Sequence, residues 1–504
     1  MASVFALRNT LASCARVPMK GIAVSLKKPI MGTAQDIRVM KARPKASLSM
    51  NLDGLLESME SLSLQEPKAK ELSQALVSKT EVAKAQLSQW LHQERYVNGI
   101  APRKNNPHAT YTEVEEQFRP GGENPSFKLP MFSLSREMCN VHLSKVADPT
   151  IVANYSDANV VQFAVHPQVF AKGVEPHLEK LANKPQKFIN VAPTASSRSL
   201  FVIDESTARP HIVKTHLPLR ITRNMRGLND PKIEHSLAIS DRIGAALASF
   251  KNPKFAYLPE TFGVSIKGKK SSDSWGYLVR ELTPRPFLPD AQPRALLPLF
   301  ALYSTDKASP DKPPILCDLI EASGEDPKKF VLERILHPII RVWADTYQKT
   351  GIILESHGQN TLFELNEKGL PDRVVSRDFS AYVSREMYKR TGGTLSTLNA
   401  SKTFSKLGQG IEPPTACILS SVFDQSVKVP FERIAQVCQE RYKIAPSELQ
   451  KSCQEYFREV FPTADLHFPA QGITYNIKDV DFTNVPTSGG RTEFVELQQA
   501  ALWR

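Results

Sequence analysis

Between residues 160 and 282 six short runs rich in β-branched and aromatic residues follow one another: VVQFAVHP, KFINVAP, SLFVID, HIVKTHLPLRIT, FAYLPETFGVSI and WGYLVREL. Proline, glycine and polar turns cut them apart. Runs of this composition and length read as strands rather than helices. The main helix-period segment among them is Glu234–Phe250. The expectation is therefore a mixed sheet with inserted helices, an α/β fold of the α+β mixed kind.

The flanks read differently. Lys328–Thr350 predicts a helix of about five turns, with Val331, Ile335, Ile339, Ile340 and Trp343 on its apolar stripe and Gly351 as its stop. LSTLNASKTFSKL, FERIAQVCQERY and PSELQKSCQEYFREVF, within residues 395–460, also read as helical, and the tail from Leu466 returns to short extended pieces. Upstream, residues 51–97 predict two or three amphipathic helices divided at Pro67. Residues 100–130 and 286–312, rich in proline, read as connectors. PTASSRSLFV is expected to run extended, which would set Ser196 and Arg198 on one side.

The net charge of +12 does not imply a nucleic-acid partner. Residues 1–50 hold nine Lys/Arg and one acid, leaving 55 basic and 51 acidic residues for the rest of the chain. That leader has the composition of an organellar transit peptide, which would send the protein to a mitochondrion; as a plain tail it leaves a cytoplasmic, intracellular protein. No run approaches the 18 or so apolar residues of a membrane span. The six cysteines are scattered without a C-x-x-C, as in a reducing compartment.

Chemistry concentrates in four places. GIILESHGQN (Gly351–Asn360) delivers Glu355, His357 and Asn360 after an apolar run, and Arg377-Asp378-Phe379 follows the strand-like pair Val374-Val375. A carboxylate after a buried strand, with a second upstream, suits Mg²⁺, which takes one or two protein carboxylates and fills the rest with phosphate and water. HIVKTHLPLRITRNMRG carries Lys214, Arg220, Arg223 and Arg226 within thirteen residues, together with Thr222, an invitation to a multiply charged anion. Ser196 and Arg198 suit phosphate. AVHPQVFAKG places His166 at a strand end, with Lys172 after it.

In this order the clusters resemble one family, the NRPS-independent siderophore synthetases of the aerobactin-synthetase (IucA/IucC) type. The resemblance rests on His166-Pro167 with Lys172, TASSRS (Thr194–Ser199), Lys214 with Thr222 and Arg226, Arg280-Glu281, ESHGQN (Glu355–Asn360) and Arg377-Asp378-Phe379. Ser199 stands where the family has threonine. The resemblance implies a hand-like architecture: a basic leader at 1–50, a helical thumb-like region and linker at 51–145, a fingers-like region at 146–300 and a palm-like region at 301–504. It implies a homodimer that uses ATP and Mg²⁺ to adenylate a carboxylate of citrate or a similar polycarboxylic acid, which an amine or alcohol then attacks. In that scheme Ser196, Arg198, Lys214, His357, Asn360 and Asp378 hold ATP, with His357, Arg198 and Lys214 catalytic. His166, Thr222, Arg223 and Arg226 hold the acid, and Glu355 and Asp378 the metal.

Two other readings stay open on the residues alone. H-x-x-x-N and D-F also occur in phosphotransferases, although a kinase needs an aspartate base two residues after the loop histidine, where this chain has Gln359. A non-catalytic binding relative would keep the fold without needing Glu355, His357, Asn360 and Asp378 together.

Overall fold

The six strand-like runs do form strands, and a register fixed by their alternation brings three of them side by side where the charges lie. The computed structural model describes residues 23–25, 38–40 and 114–504, apart from residues 119–125, 174, 176–177, 179–180, 182–184, 195, 204–208, 222–223, 248–251, 253, 271–272, 289–293, 305–310, 409–411 and 479–492. The helices expected over 51–97 lie outside the described residues, as do Thr222 and Arg223. Of the basic leader, only an antiparallel ribbon pairing Ala23–Ser25 with Arg38–Met40 is described.

The main sheet has eight antiparallel strands. Their spatial order is Cys139–Leu143, Glu260–Ile266, Gly276–Glu281, His211–Thr215, Ser199–Val202, Lys187–Pro193, Phe127–Ser135 and Val160–Ala164. It draws on strands from both sides of residue 146, and the first begins at Phe127, inside the stretch read as a connector. The sheet curls until its far edge approaches its middle: the Tyr277 hydroxyl donates to the carbonyl of Gln162 on the edge strand at 2.7 Å. Inside the curl lies an apolar core that includes Phe163, Phe262, Trp275, Tyr277 and Tyr155, all buried. The other face packs Leu278 with Ile233 and Leu237 of the helix Asp230–Leu247.

The second sheet runs Phe255–Tyr257, Pro371–Ser376, Thr361–Leu365 and Leu296–Pro298. Its first pair is parallel and the other two are antiparallel. A larger core lies against it, built from the helices Ile315–Ser323, Pro327–Thr350, Thr415–Tyr442 and Pro446–Val460. The helix expected from Lys328 is continuous to Thr350, with one π turn at Leu332–Leu336 just before Pro338, and its stripe residues Val331, Ile335, Ile339, Ile340 and Trp343 are all buried. Gly351 ends it with φ +74°, a conformation glycine adopts without strain. A Cβ there would lie 2.4 Å from the Tyr388 backbone nitrogen. The chain is thereby turned into the strand Ile352–Ile353, and the Trp343 indole donates to the Leu354 carbonyl at 3.0 Å.

Two expectations of local structure are corrected. LSTLNASKTFSKL forms two single 3₁₀ turns, Leu395–Thr397 and Ala400–Lys402, and the strand Thr403–Phe404. The Asn399 side chain accepts from the Ser401 amide at 3.0 Å, a local bond that competes with the helix. Between the strands ending at Pro193 and beginning at Ser199 the Ser197 amide donates to the Thr194 carbonyl at 2.7 Å and Ser197 has φ +55°, so strand alternation does not govern Ser196 and Arg198. Among the described residues no helix is long and apolar enough to cross a membrane. Cys317, Cys438 and Cys453 are free thiols.

Candidate active site

Sheet register builds the site. Glu260 pairs directly with Arg280 across the first two of three neighbouring strands, and Lys214 pairs with Leu278 across the second and third. With a side-chain period of two, Glu260, Arg280 and Lys214 share one face. Burial sets the stakes, because the Lys214 and Arg280 side chains are each 3% exposed and Glu260 is fully buried. Ion pairs must therefore compensate them. Arg280 donates to the Glu260 carboxylate, whose oxygen lies 4.0 Å from the Lys214 ammonium.

The second counter-ion comes from the loop that follows the strand Pro371–Ser376 of the other sheet. Asp378 Oδ1 accepts from the Lys214 ammonium at 2.6 Å and lies 3.8 Å from the Arg280 guanidinium. Asp378 has φ +67°, a conformation that costs a non-glycine residue about 1–3 kcal/mol and persists only where its surroundings enforce it. They do so here. The Arg377 amide donates to the Asn360 carbonyl at 3.1 Å, the Arg377 guanidinium donates to the Gln359 carbonyl at 2.9 Å, and the Phe379 ring is buried against Tyr257. ESHGQN and RDF are thus locked together, as their sequence positions suggested.

Electrostatics marks the same place. Burial pushes the Lys214 ammonium below its ordinary pKa, against the pull of Asp378 and Glu260. Burial alone would raise the Asp378 carboxyl, but Lys214 and Arg280 outweigh it and hold the group well below the carboxylate range. Burial, with Arg226 alongside, lowers Arg198 to about 10, and burial with Arg280 nearby lowers Arg377 to about 9. Burial also lowers His357, while Glu355 and Asp378 pull it the other way, so an imidazole between two carboxylates stays neutral at neutral pH. This is a strongly cationic cluster flanked by two partly exposed carboxylates, Asp378 and Glu355.

The remaining expected residues fall as follows. Arg198 donates to the Arg226 carbonyl at 2.7 Å, tying the turn to the strand Asn224–Arg226. The Ser196 hydroxyl closes its own turn, accepting from the Ser199 amide at 2.9 Å. Asn360 is half-buried, and its amide donates to the His357 carbonyl at 3.0 Å. His166 is not brought into this network. It caps the short helix Pro167–Lys172, its ring is fully buried edge-on to Phe118 and Phe127, and its Nε2 has no partner.

Three site residues were missed in the sequence. Glu260 had a signal, since a lone acid inside the apolar run FAYLPETFGVSI must meet a cation if the run is buried. Lys402 and Lys232 had none. Lys402 lies 3.9 Å from a Glu355 oxygen and 3.7 Å from the centre of the Tyr382 ring. Lys232 is exposed, but burial of its end together with Arg198, Lys402 and Lys214 lowers its pKa, so it belongs to the same positive field.

Among the described residues no three histidine, cysteine or acidic side chains converge as a metal cage. Glu355 and Asp378 are 35% and 31% exposed and both influence His357. Two accessible carboxylates beside a cationic cluster fit an ion that takes most of its ligands from phosphate and water.

The description "IucA / IucC family" matches residues 113–304, and "Ferric iron reductase FhuF-like transporter" matches residues 331–472. Over residues 113–304 the chain is similar to the IucA/IucC family, the NRPS-independent siderophore synthetases. Among curated relatives, L-2,3-diaminopropanoate–citrate ligase of Staphylococcus aureus is 30% identical over 203 residues, 38% of this chain and 32% of that protein. An uncharacterized protein of Sinorhizobium fredii is 23% identical over 291 residues, 54% of this chain and 43% of that protein. The matches thus span about a third and about two fifths of the length of these relatives. Among solved structures, the petrobactin biosynthesis protein AsbB of Bacillus anthracis superposes with a TM-score of 0.59 at 16% identity, covering 93% of this chain and 84% of that one. Aerobactin synthetase IucC of Klebsiella pneumoniae gives 0.58 at 16% identity, over 100% and 99%. ATP-bound aerobactin synthetase IucA of the same organism gives 0.52 at 15%, over 91% of each. At these identities the structural likeness establishes the mixed α/β fold of curled sheets.

Proposed function

We propose that this chain is an ATP-dependent ligase that adenylates one carboxylate of citrate or a related polycarboxylic acid and joins it to an amine or alcohol, as in siderophore biosynthesis. The observation that carries the reading is the buried lattice of Lys214, Arg280, Glu260 and Asp378, which ties two sheets together beside Arg198 and His357. The likeness of part of the chain to the citrate ligase of S. aureus and the fold shared with ATP-bound IucA support it.

The chemistry asks for what these residues supply. In the first step a substrate carboxylate oxygen attacks the α-phosphorus of ATP, and the bond to the bridging oxygen breaks, releasing pyrophosphate. In the second, the amine or alcohol attacks the acyl carbon, loses its proton and expels AMP. A carboxylate is already a nucleophile, so the first step needs positioning and charge neutralisation rather than a strong base. Lys214, Arg198 and Arg280 would meet the phosphates, with Arg280 held by Glu260. The neutral imidazole of His357 would donate a hydrogen bond to phosphate oxygen, its Nδ1 being occupied as an acceptor for the Gln359 amide at 3.2 Å. Asn360 would lie beside it. Arg226, with Thr222 and Arg223, would hold the spare carboxylates of the acid. Glu355 and Asp378 would hold Mg²⁺, which supplies charge neutralisation on the phosphates when bound.

The test is nucleotide product analysis. Purified protein is incubated with ATP, Mg²⁺, hydroxylamine and a panel of acids headed by citrate. AMP and pyrophosphate whose appearance depends on one acid support the ligase. ADP in place of AMP refutes it in favour of phosphoryl transfer.

A further inference from the structure

Both carboxylates suited to the metal are already engaged by lysines of the same chain. Asp378 holds the Lys214 ammonium at 2.6 Å, and Glu355 has the Lys402 ammonium at 3.9 Å. The second lysine is not a casual neighbour. The Asn399 amide donates to His235 Nδ1 at 3.2 Å, and Arg385 donates to the Thr403 hydroxyl at 3.2 Å, so the chain is pinned on both sides of Lys402. The Tyr382 ring lies 3.7 Å below its ammonium, an aromatic face that holds a cation in place.

We propose that Lys402 is an internal competitor for the metal: its ammonium and a divalent cation exclude one another at Glu355, as Lys214 and the cation do at Asp378. This rests on the ligase reading, which assigns the metal to those carboxylates. The consequence is an ordered assembly. A divalent cation alone must displace Lys402 from Glu355 and Lys214 from Asp378, leaving Lys214 only Glu260, 4.0 Å away and already held by Arg280. A cation arriving with a nucleotide brings phosphates that receive the displaced lysines. Metal and nucleotide therefore bind with strong mutual dependence, and an uncomplexed ion stays out. The pair at Asp378 is the tighter one and lies deeper; the pair at Glu355 is the adjustable one, because both partners are partly exposed.

The experiment measures Mn²⁺ binding to the full chain by the loss of the free-ion EPR signal, with and without ATP, in the wild type, Lys402→Met and Lys402→Arg. Methionine keeps the length over Tyr382 and removes the charge; arginine keeps the charge. Relief of one partly exposed pair corresponds to about a fivefold change. Lys402→Met is expected to bind Mn²⁺ alone about fivefold tighter than wild type, and Lys402→Arg to match wild type. The enhancement of Mn²⁺ affinity by ATP is expected to shrink by the same factor in Lys402→Met. Equal Mn²⁺ affinity in the wild type and Lys402→Met, with ATP still tightening both, overturns the competition and leaves the nucleotide site standing. Weaker Mn²⁺ binding by Lys402→Met overturns it as well, making Lys402 a support for Glu355. Absence of any ATP effect on Mn²⁺ binding in the wild type refutes the ligase reading and this proposal with it.

Discussion

Glu260 is the residue whose removal tests the electrostatic account most sharply. It is fully buried, its backbone amide donates to the Ser240 hydroxyl at 2.9 Å, and its carboxylate serves both Arg280 and Lys214. Glu260→Gln is nearly isosteric, so packing barely changes while one negative charge disappears. Two cations that are 3% exposed then share Asp378, which is 31% exposed and therefore partly screened. Breaking a buried pair by removing one partner costs about 3–5 kcal/mol. For a cooperative unit the size of the curled sheet with its covering helix, each kcal/mol moves the melting temperature by about 2–4 °C. Glu260→Gln should therefore melt about 6–20 °C lower in differential scanning fluorimetry. Arg280→Met in the same background should recover part of the loss, because the orphaned cation leaves with it. A melting temperature within about 2 °C of wild type, or a double variant no better than Glu260→Gln, would refute the claim that Glu260 is the permanent counter-ion of this site.

Arg198→Ala should lower AMP formation by about 10²–10³-fold, as for one donor of a charge-stabilising set, without changing the melting temperature by more than about 2 °C; wild-type turnover would dismiss the site assignment. Asp378→Asn keeps a residue that tolerates positive φ, so it should lose the ATP-dependent tightening of Mn²⁺ and melt lower than wild type, since the buried Lys214 loses its 2.6 Å partner. Gly351→Ala should destabilise the protein by more than about 1 kcal/mol, since φ is +74° and the new Cβ would meet the Tyr388 backbone at 2.4 Å; an unchanged melting temperature would count against that turn. His166, which burial holds down at about 3, gives a pH prediction. The unfolded chain binds a proton below pH 6.5 that the native ring refuses, so stability is complete above that pH and is lost as pH falls toward 3, by about 2 kcal/mol at pH 5. His166→Asn, which retains a capping acceptor, should flatten the fall in melting temperature between pH 7 and pH 5; an unaltered slope would refute it.

What the sequence made legible follows from the range of the forces involved. Strand runs, the long helix and its glycine stop depend on local period and local backbone freedom, so they could be read directly. The pairing of ESHGQN with RDF was also legible, because both follow apolar strands. The turn at Ser196 was misread because a strand pattern gives no notice of the left-handed residue, Ser197, that breaks it. LSTLNASKTFSKL was misread because apolar spacing suggested a helix while Ser, Thr and Asn side chains offered the backbone nearer partners. The site itself divides along the same line. Lys214 and Asp378 were picked out from their own neighbourhoods, but that they meet each other is a fact about two sheets and a sequence separation of 164 residues. Lys402 belongs to no pattern at all. It became visible only when the fold carried the Ala400–Lys402 turn beside Glu355. A cation placed by tertiary packing against a candidate metal ligand is the kind of feature a motif search passes over, since its chemistry lies in what it excludes.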